Sequence, residues 1–224
     1  MSRIRLARAT LAAALCACSL PAFAQQDIGK VFGGITAEAG RRYGDLETVN
    51  GGIRLEDGAR VEDAETVNGG VRAGDDVHAR SLATVNGGIR IGERARIERS
   101  VETVNGGISI GSGSQVGGDV GTVNGAIELV DTDLAGDVET VSGDITVGAG
   151  SHVRGGIHVE ENGGLSFGFG RDNKPVVVIG PGAVVEGTLV FERAVTLYVH
   201  DSARTGPITG ATAVRFSGRT PPAR

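Results

Sequence analysis

The four histidines are the residues of this chain best suited to acid–base or metal chemistry: His78, His152, His158 and His200. No His or Cys cluster has the spacing of a zinc site, and the segment Asp131-Thr132-Asp133 is too short for a calcium loop. No Ser/His/Asp arrangement or phosphate-binding loop is apparent. The sequence therefore predicts no catalytic residue, no metal site and no cofactor.

Asparagines and threonines instead recur in one fixed context. The asparagines, each followed by Gly, are Asn50, Asn68, Asn86, Asn105 and Asn124. Asn tolerates the left-handed backbone of a turn, and amides stacked at strand spacing can bond to one another. We interpret the row as a structural ladder; the alternative is a row of polar ligands for a sugar or an ion. The threonines two residues before them suit β-strands and contacts between coils.

Charged side chains form further rows. Arg54, Arg72 and Arg90 recur with the repeat, as do Glu47, Glu65, Glu102 and Glu139, and Arg60, His78 and Arg96 lie near another corner. One interpretation is a solvated surface with weak ion pairs. The other is a basic stripe, Arg54, Arg72 and Arg90, that contacts an acidic polysaccharide or another partner. Phe167 and Phe169, on a Gly-rich segment, are further candidates for partner contact.

These rows follow from a repeated phrase, Thr-Val-Asn-Gly-Gly-Ile. Copies and variants begin at Thr48, Thr66, Thr84, Thr103, Thr122 and Thr140. The phrase thus returns about every 18 residues, and a short, nearly gapless repeat of this kind indicates a solenoid in which each copy is one coil. Gly and β-branched residues recur every few positions, which disfavours helices.

Apolar residues within a coil recur every six positions, as Val49, Leu55 and Val61 do. The spacing predicts three short strands per coil, with all three of these residues facing inward. The coils that begin at Thr84 and Thr103 are one residue longer than the others. Their extra residue falls on the third side, between Ile97 and Val104 and between Val116 and Val123. An extra residue at a corner would preserve the inward face.

The array is predicted to extend over residues 25–216 as one domain of about ten coils, roughly 45 Å long at the usual strand spacing. The first coil carries Phe32 and Tyr43, which suits an end cap. Residues 160–175 are predicted to form a loop inserted at a corner. Residues 217–224 are predicted to be a disordered tail.

Residues 1–24 have the features of a signal peptide. A basic start precedes the apolar stretch Ala9–Leu20 and an A-x-A cleavage signal that ends at Ala24. The alternative is a lipoprotein cleaved before Cys18. Both predict export, to the periplasm or the exterior, and no transmembrane segment in the mature chain. Both cysteines lie in this leader, so no disulfide is expected afterwards.

Charge limits the partners that are expected. The chain has a net charge of −5, which becomes more negative when the arginines of the leader are removed. Nucleic acid and anionic membrane surfaces are therefore not expected partners. Self-association, an envelope component or a polysaccharide remain as candidate partners.

The copies of ETVNGGI, followed by strands such as IGSGSQVGGDV, resemble the secreted β-strand-repeat proteins described as adhesins. They are also similar to bactofilins, the polymer-forming β-helical scaffold proteins. The resemblance covers about Gly29 to Phe216. It implies an all-β, single-stranded parallel β-helix, right-handed and without enzymatic activity. Its triangular coils would each take up one copy of the repeat, about 18 residues.

A rival resemblance comes from another class. LEDGAR, IGERAR, IGSGSQ and IGPGAV fit the hexapeptide pattern of left-handed β-helix acyltransferases. That resemblance implies a trimer, an acyl donor bound to coenzyme A or to a carrier protein, and a catalytic His. Such donors are cytoplasmic, which conflicts with the leader. We therefore expect a non-enzymatic exported solenoid that acts as a structural or adhesin-like scaffold of the cell envelope, with the acyltransferase and the bactofilin-like polymer as alternatives.

Overall fold

The computed structural model describes residues 26–161 and 174–222. The described residues form 26 parallel-paired strands, numbered here in chain order, and no helix. Within them, therefore, no helix is long and apolar enough to cross a bilayer. The predicted signal peptide, Phe167, Phe169 and most of the predicted corner loop lie outside the described residues.

One sheet contains ten strands, and neighbouring strands in it come from successive coils. It comprises β2 (Ile35–Ala37), β4 (Ile53–Leu55), β6 (Val71–Ala73), β8 (Ile89–Ile91), β11 (Ile108–Ile110), β14 (Ile127–Leu129), β17 (Ile145–Val147), β20 (Val176–Ile179), β23 (Thr196–His200) and β26 (Ala213–Phe216). We call its outward surface face 2. Ten strands in register correspond to about ten coils, as the repeat predicted.

The other sheet contains 16 strands and supplies two sides of each coil. Face 1 is the side that holds the Thr-Val-Asn phrase: β1 (Gln26–Phe32), the second halves of β3 (Tyr43–Asn50), β5 (Arg60–Asn68) and β7 (His78–Asn86), then β10 (Val101–Asn105), β13 (Val120–Asn124), β16 (Val138–Ser142), β19 (Ile157–Val159), β22 (Leu189–Phe191) and β25 (Ile208–Thr209). Face 3 is formed by the first halves of β5 and β7, then β9 (Arg96–Ile97), β12 (Gln115–Val116), β15 (Asp133–Leu134), β18 (His152–Val153), β21 (Val184–Val185) and β24 (Arg204–Thr205).

The extra residue of the longer coils lies at the corner between face 3 and face 1, as predicted. Ala79 pairs with Ile97, and Leu82 pairs with Val101. The segment from Ile97 to Val101 therefore contains one residue more than the segment of the preceding coil with which it is aligned. The strand β7 runs through this corner without a break, and the next coil divides it into β9 and β10. Ile97 and Val101 both remain buried, so the added residue leaves the inward face unchanged.

The inward direction of the valines on face 1 was predicted wrongly. Val67 and Val85 are 41% and 39% exposed, whereas Thr66 and Thr84 are buried. Side chains alternate along a strand, so the buried threonine turns the valine outward. On the other two sides, the six-residue spacing predicts the inward residues correctly, since Leu55 and Val61 are buried. The later coils indicate that this column faces inward, because apolar residues, Val159 and then Phe191, take the position of the threonine there.

Burial of threonine is possible because its hydroxyl has a partner inside the stack. Thr66 Oγ1 donates to the carbonyl of Gly51 at 2.8 Å, and Thr84 Oγ1 donates to that of Gly69 at 2.7 Å. Thr48, Thr103 and Thr122 donate in the same way to Gly33, Gly87 and Gly106. A buried hydroxyl left without such a bond would cost roughly 1–3 kcal/mol. Each threonine thus ties one coil to the corner of the coil before it.

The glycine after each asparagine is fixed by the same close stacking. A Cβ at Gly87 would overlap the backbone carbonyl of Gly69, and the first glycine of each following phrase meets the one before it in the same way. At the second glycine position the contact is less severe but still tight: a Cβ at Gly88 would lie 3.0 Å from the carbonyl oxygen of Gly107, which would have to shift slightly. This difference explains why Ala126 and Asp144 occur at the second position.

The first coil does not use Phe32 to cover the core. Phe32 is 78% exposed and Val31 is 60% exposed, and nearly all of β1 is exposed. Tyr43 is the buried aromatic of this coil, and its hydroxyl accepts a hydrogen bond from the Glu38 backbone N–H at 3.1 Å. The predicted aromatic cap is therefore wrong for Phe32 because its strand position points outward.

Replacing Thr84 by Val is expected to lower the free energy of unfolding by about 1–2 kcal/mol, because it removes the donor to Gly69. Thr140 is the matched control: its Oγ1 is buried and lacks a partner among the described residues. Thr140→Val is expected to leave stability unchanged or to raise it. Urea unfolding followed by circular dichroism measures both; equal losses would contradict this account of the threonine column.

Candidate functional site

The outward side chains of the solenoid form straight columns, because parallel pairing places equivalent residues of successive coils beside each other. On face 2 the central column is Thr36, Arg54, Arg72, Arg90, Ser109, Glu128, Thr146, Val178, Tyr198 and Val214. The predicted basic stripe is thus a contiguous column, and it ends at Ser109. Neighbouring members lie about 4.8 Å apart along the axis.

Arg54, Arg72 and Arg90 are exposed. Within the described part of the chain, none of them forms an ion pair or a side-chain hydrogen bond. Like charges held about 5 Å apart repel each other moderately in water. The column therefore offers three uncompensated guanidinium groups to an anionic partner.

Other arginines, by contrast, are held by acids of the same chain. Arg80 contacts Asp45, Glu62 and Asp63 at the corner between faces 3 and 1. The hydrogen bond from Arg80 lowers the pKa of Asp63, against the opposing effect of burial. Arg94 pairs with Asp76 at 2.9 Å in a similar network at the corner between faces 2 and 3. Arg80 and Arg94 therefore act within the chain, as surface ion pairs of modest strength.

Face 1 carries an acidic column. It comprises Gly29, Glu47, Glu65, Ala83, Glu102, Gly121, Glu139, His158, Val190 and Thr209. Burial raises the pKa of Glu65, and the charges of Asp63, Glu47, Asp45 and Glu102 raise it further. Among the described residues the four glutamates form no ion pair. Their charge, like that of the face 2 arginines, is uncompensated within the part of the chain that the structure describes.

A valine column lies beside the glutamates on face 1. It consists of Val31, Val49, Val67, Val85, Val104, Val123 and Val141. The sequence did not predict this column, because the six-residue spacing placed Val49, Val67 and Val85 in the core. An apolar stripe that crosses seven coils, next to a charged column, is the composition of a contact surface.

Face 3 carries a second basic column that begins with Arg42, Arg60, His78 and Arg96. Burial lowers the pKa of His78, and the charges of Arg60 and Arg96 lower it further. A shallow depression of about 160 Å³ lies beside this column. That volume is below the range of roughly 300–1,000 Å³ typical of small-molecule pockets. The depression therefore suits a surface contact better than an enclosed substrate.

The asparagines form an exposed ladder at the corner between faces 1 and 2. Asn68 Nδ2 donates to Asn50 Oδ1, Asn86 to Asn68, and Asn105 to Asn86, each at 3.0 Å, and Asn124 donates to Asn105 at 3.1 Å. Their backbones do not take the left-handed conformation that Asn tolerates: among the described residues, the non-glycine positions with positive φ are Asp76, Arg94 and Asp131, at another corner. Within the ladder, the side-chain amides of Asn68, Asn86 and Asn105 each donate one hydrogen bond and accept another.

The four histidines lie apart. His78 and His152 belong to face 3, His158 to face 1 and His200 to face 2. His152 Nε2 lies 2.7 Å from Glu186 Oε1, and His200 Nδ1 lies 2.8 Å from Ser202 Oγ. No group of three or more His, Cys, Asp or Glu side chains in residues 26–161 and 174–222 is placed to hold a metal ion.

Comparison with known proteins gave no relative: no protein-family model, no curated protein and no solved structure matches this chain. The functional interpretation therefore depends on the columns themselves.

Asn86→Ala is expected to lower the free energy of unfolding by about 1 kcal/mol, because it removes two exposed ladder bonds, one to Asn68 and one from Asn105. Asn124 is the matched control, since its amide donates one ladder bond, to Asn105. Asn124→Ala is therefore expected to cost about half as much. Thermal unfolding of the two variants compares them, and an equal or smaller loss for Asn86→Ala would contradict the ladder.

Proposed function

We propose that this chain is an exported, non-enzymatic structural protein of the cell envelope, whose solenoid serves as a scaffold or adhesive surface. One observation carries the proposal: several coils in succession present uncompensated charge in straight columns on flat faces. Surfaces of this kind match extended or repetitive partners, because each added coil adds the same contact. Neither the shallow depression nor the separated histidines suggest a site for a small substrate.

The leader supports export. Residues 1–24 combine basic, apolar and small-residue segments in the order typical of a secretory signal. The mature chain then starts at Gln25, in the periplasm or outside the cell, and is expected to contain no cysteine. Stability without disulfides depends on coil stacking, as in other repeat proteins. The features shared with bactofilins and with the adhesin-type repeat proteins fit the same role.

The scaffold function predicts that purified Gln25–Arg224 associates with itself. Sedimentation velocity over a wide concentration range, with negative-stain microscopy of the same sample, measures this. Species larger than a monomer that grow with concentration are expected. A strict monomer at every concentration would contradict the scaffold function and leave the adhesive one, whereas a discrete compact trimer would favour the acyltransferase alternative.

The adhesive function predicts binding to an acidic polysaccharide through the face 2 arginines. The triple variant Arg54→Ser, Arg72→Ser and Arg90→Ser is expected to weaken binding to polyuronate about tenfold or more, with a smaller dependence on salt. The matched control removes three arginines from face 3, as Arg42→Ser, Arg60→Ser and Arg96→Ser. Unchanged binding by the face 2 variant would refute a glycan contact at this column.

A further inference from the structure

The acidic column of face 1 and the basic column of face 2 have the same axial spacing, because every coil contributes one residue to each. Glu47 and Arg54 belong to one coil, and Glu65 and Arg72 belong to the next. None of these four side chains forms an ion pair within the described residues. If face 1 of one copy were laid on face 2 of a second copy, with parallel axes and no axial shift, Glu47 would face Arg54 and Glu65 would face Arg72.

The remaining coils are compatible with this alignment. Face 2 becomes acidic at Glu128, and face 1 has Gly121 in that coil instead of a glutamate. Arg90 would face Ala83, and near the C-terminal end Tyr198 would face Val190. Along these two columns, the alignment therefore joins ten coils without placing two like charges opposite each other.

The reverse orientation fits less well. With antiparallel axes and full overlap, Glu128 would face Glu102, and Arg72 would face His158. The pairs of glutamate with arginine would fall from two to one, Arg90 with Glu139. Tyr198 would then lie over Glu47, so that an aromatic ring would cover a carboxylate. Like charges in direct opposition disfavour such a contact.

We propose that face 1 of one molecule binds face 2 of a second copy of this chain, side by side, parallel and in register. The proposal rests on the scaffold function and specifies its contact. Ten coils of about 4.8 Å on a face about 15 Å wide give roughly 700 Å² per partner. Stable interfaces bury about 600–1,000 Å² per partner, so the face is large enough for specific association.

Two local features of face 1, one apolar and one electrostatic, support this pairing. The valine column of face 1 adjoins the glutamates, so the aliphatic stems of Arg54 and Arg72 can cover apolar surface while their guanidinium groups reach carboxylates. The neighbouring acids that raise the pKa of Glu65 would be partly neutralised by the facing arginines. The contact thus stabilises the ionised form of Glu65, which neighbouring acids disfavour in the isolated chain.

Because face 1 and face 2 are different surfaces, each added copy leaves one of each free. Such a heterologous contact continues to a ring or an open array and does not stop at a dimer. The assembled copies would keep their solenoid axes parallel and would leave the basic column of face 3 outside the contact.

Charge reversal on each face provides the test. The variants Arg54→Glu with Arg72→Glu, and Glu47→Lys with Glu65→Lys, are each expected to weaken self-association about tenfold or more by sedimentation velocity at low salt. Mixed in equal amounts, the two variants are expected to recover assembly, because both kinds of face are then again paired with opposite charge. Arg60→Glu with Arg96→Glu, on face 3, is the control and is expected to assemble as the wild type does.

Circular dichroism and urea unfolding first establish that each variant folds, and Arg54→Ser with Arg72→Ser and Glu47→Gln with Glu65→Gln replace any that does not. If both of these milder double variants lose assembly and the face 3 control does not, the result supports the contact. Wild-type assembly that persists in either face variant overturns the lateral contact while the scaffold function stands. A wild type that remains monomeric overturns both, and polyuronate binding by that monomer would assign the arginines to a glycan.

Discussion

The stacking of one coil on the next is the constraint on which the rest of this structure depends. Backbone groups of a coil bond to the coils before and after it, as in the bonds of Gly51 N–H to Asn68 and of Ile53 N–H to Gly70. No cysteine lies among the described residues, so the stack is held by these ladders and by a narrow core of Val, Ile, Leu and Ala. Any residue that changes the distance between coils disrupts bonds on both sides. The corner glycines, the buried threonines and the asparagine ladder all satisfy this one requirement.

The same constraint gives the surface its order. A solvent-facing residue cannot choose its neighbours, since these are the equivalent residues of the adjacent coils. Repeated arginines therefore become a column of arginines, whatever its electrostatic cost, and repeated glutamates become a column of glutamates. In most globular proteins such groups would find partners within the chain, as Arg80 does with Asp63. Here the regular stack keeps the two columns on separate faces.

Much of this could be predicted from the sequence, because the repeat itself reports the coil. The parallel solenoid, its approximate number of coils and the corner that accepts an extra residue all follow from spacing. The phase of one strand did not follow, since threonine and valine both suit a β-strand and either can face inward. The decision depends on a hydroxyl-to-carbonyl bond such as that of Thr84 to Gly69, which spacing does not reveal. The rows of glutamates and arginines also follow from spacing, but the absence of an ion pair at Arg72 among the described residues required the three-dimensional arrangement.

The coil that contains Thr140 differs from those before it in three ways at once. Ser142 takes the place of the ladder asparagine, and the Thr140 hydroxyl is buried without a partner among the described residues. Arg193 Nη1 donates across two coils to the Val141 carbonyl at 3.0 Å. The stability of a repeat protein is approximately a sum of the contacts between neighbouring repeats. Under load, the coils therefore separate first where that contact is weakest. Under tension along its axis, this solenoid would have a built-in fracture plane at Thr140, which separates a uniform N-terminal rod from a shorter C-terminal block.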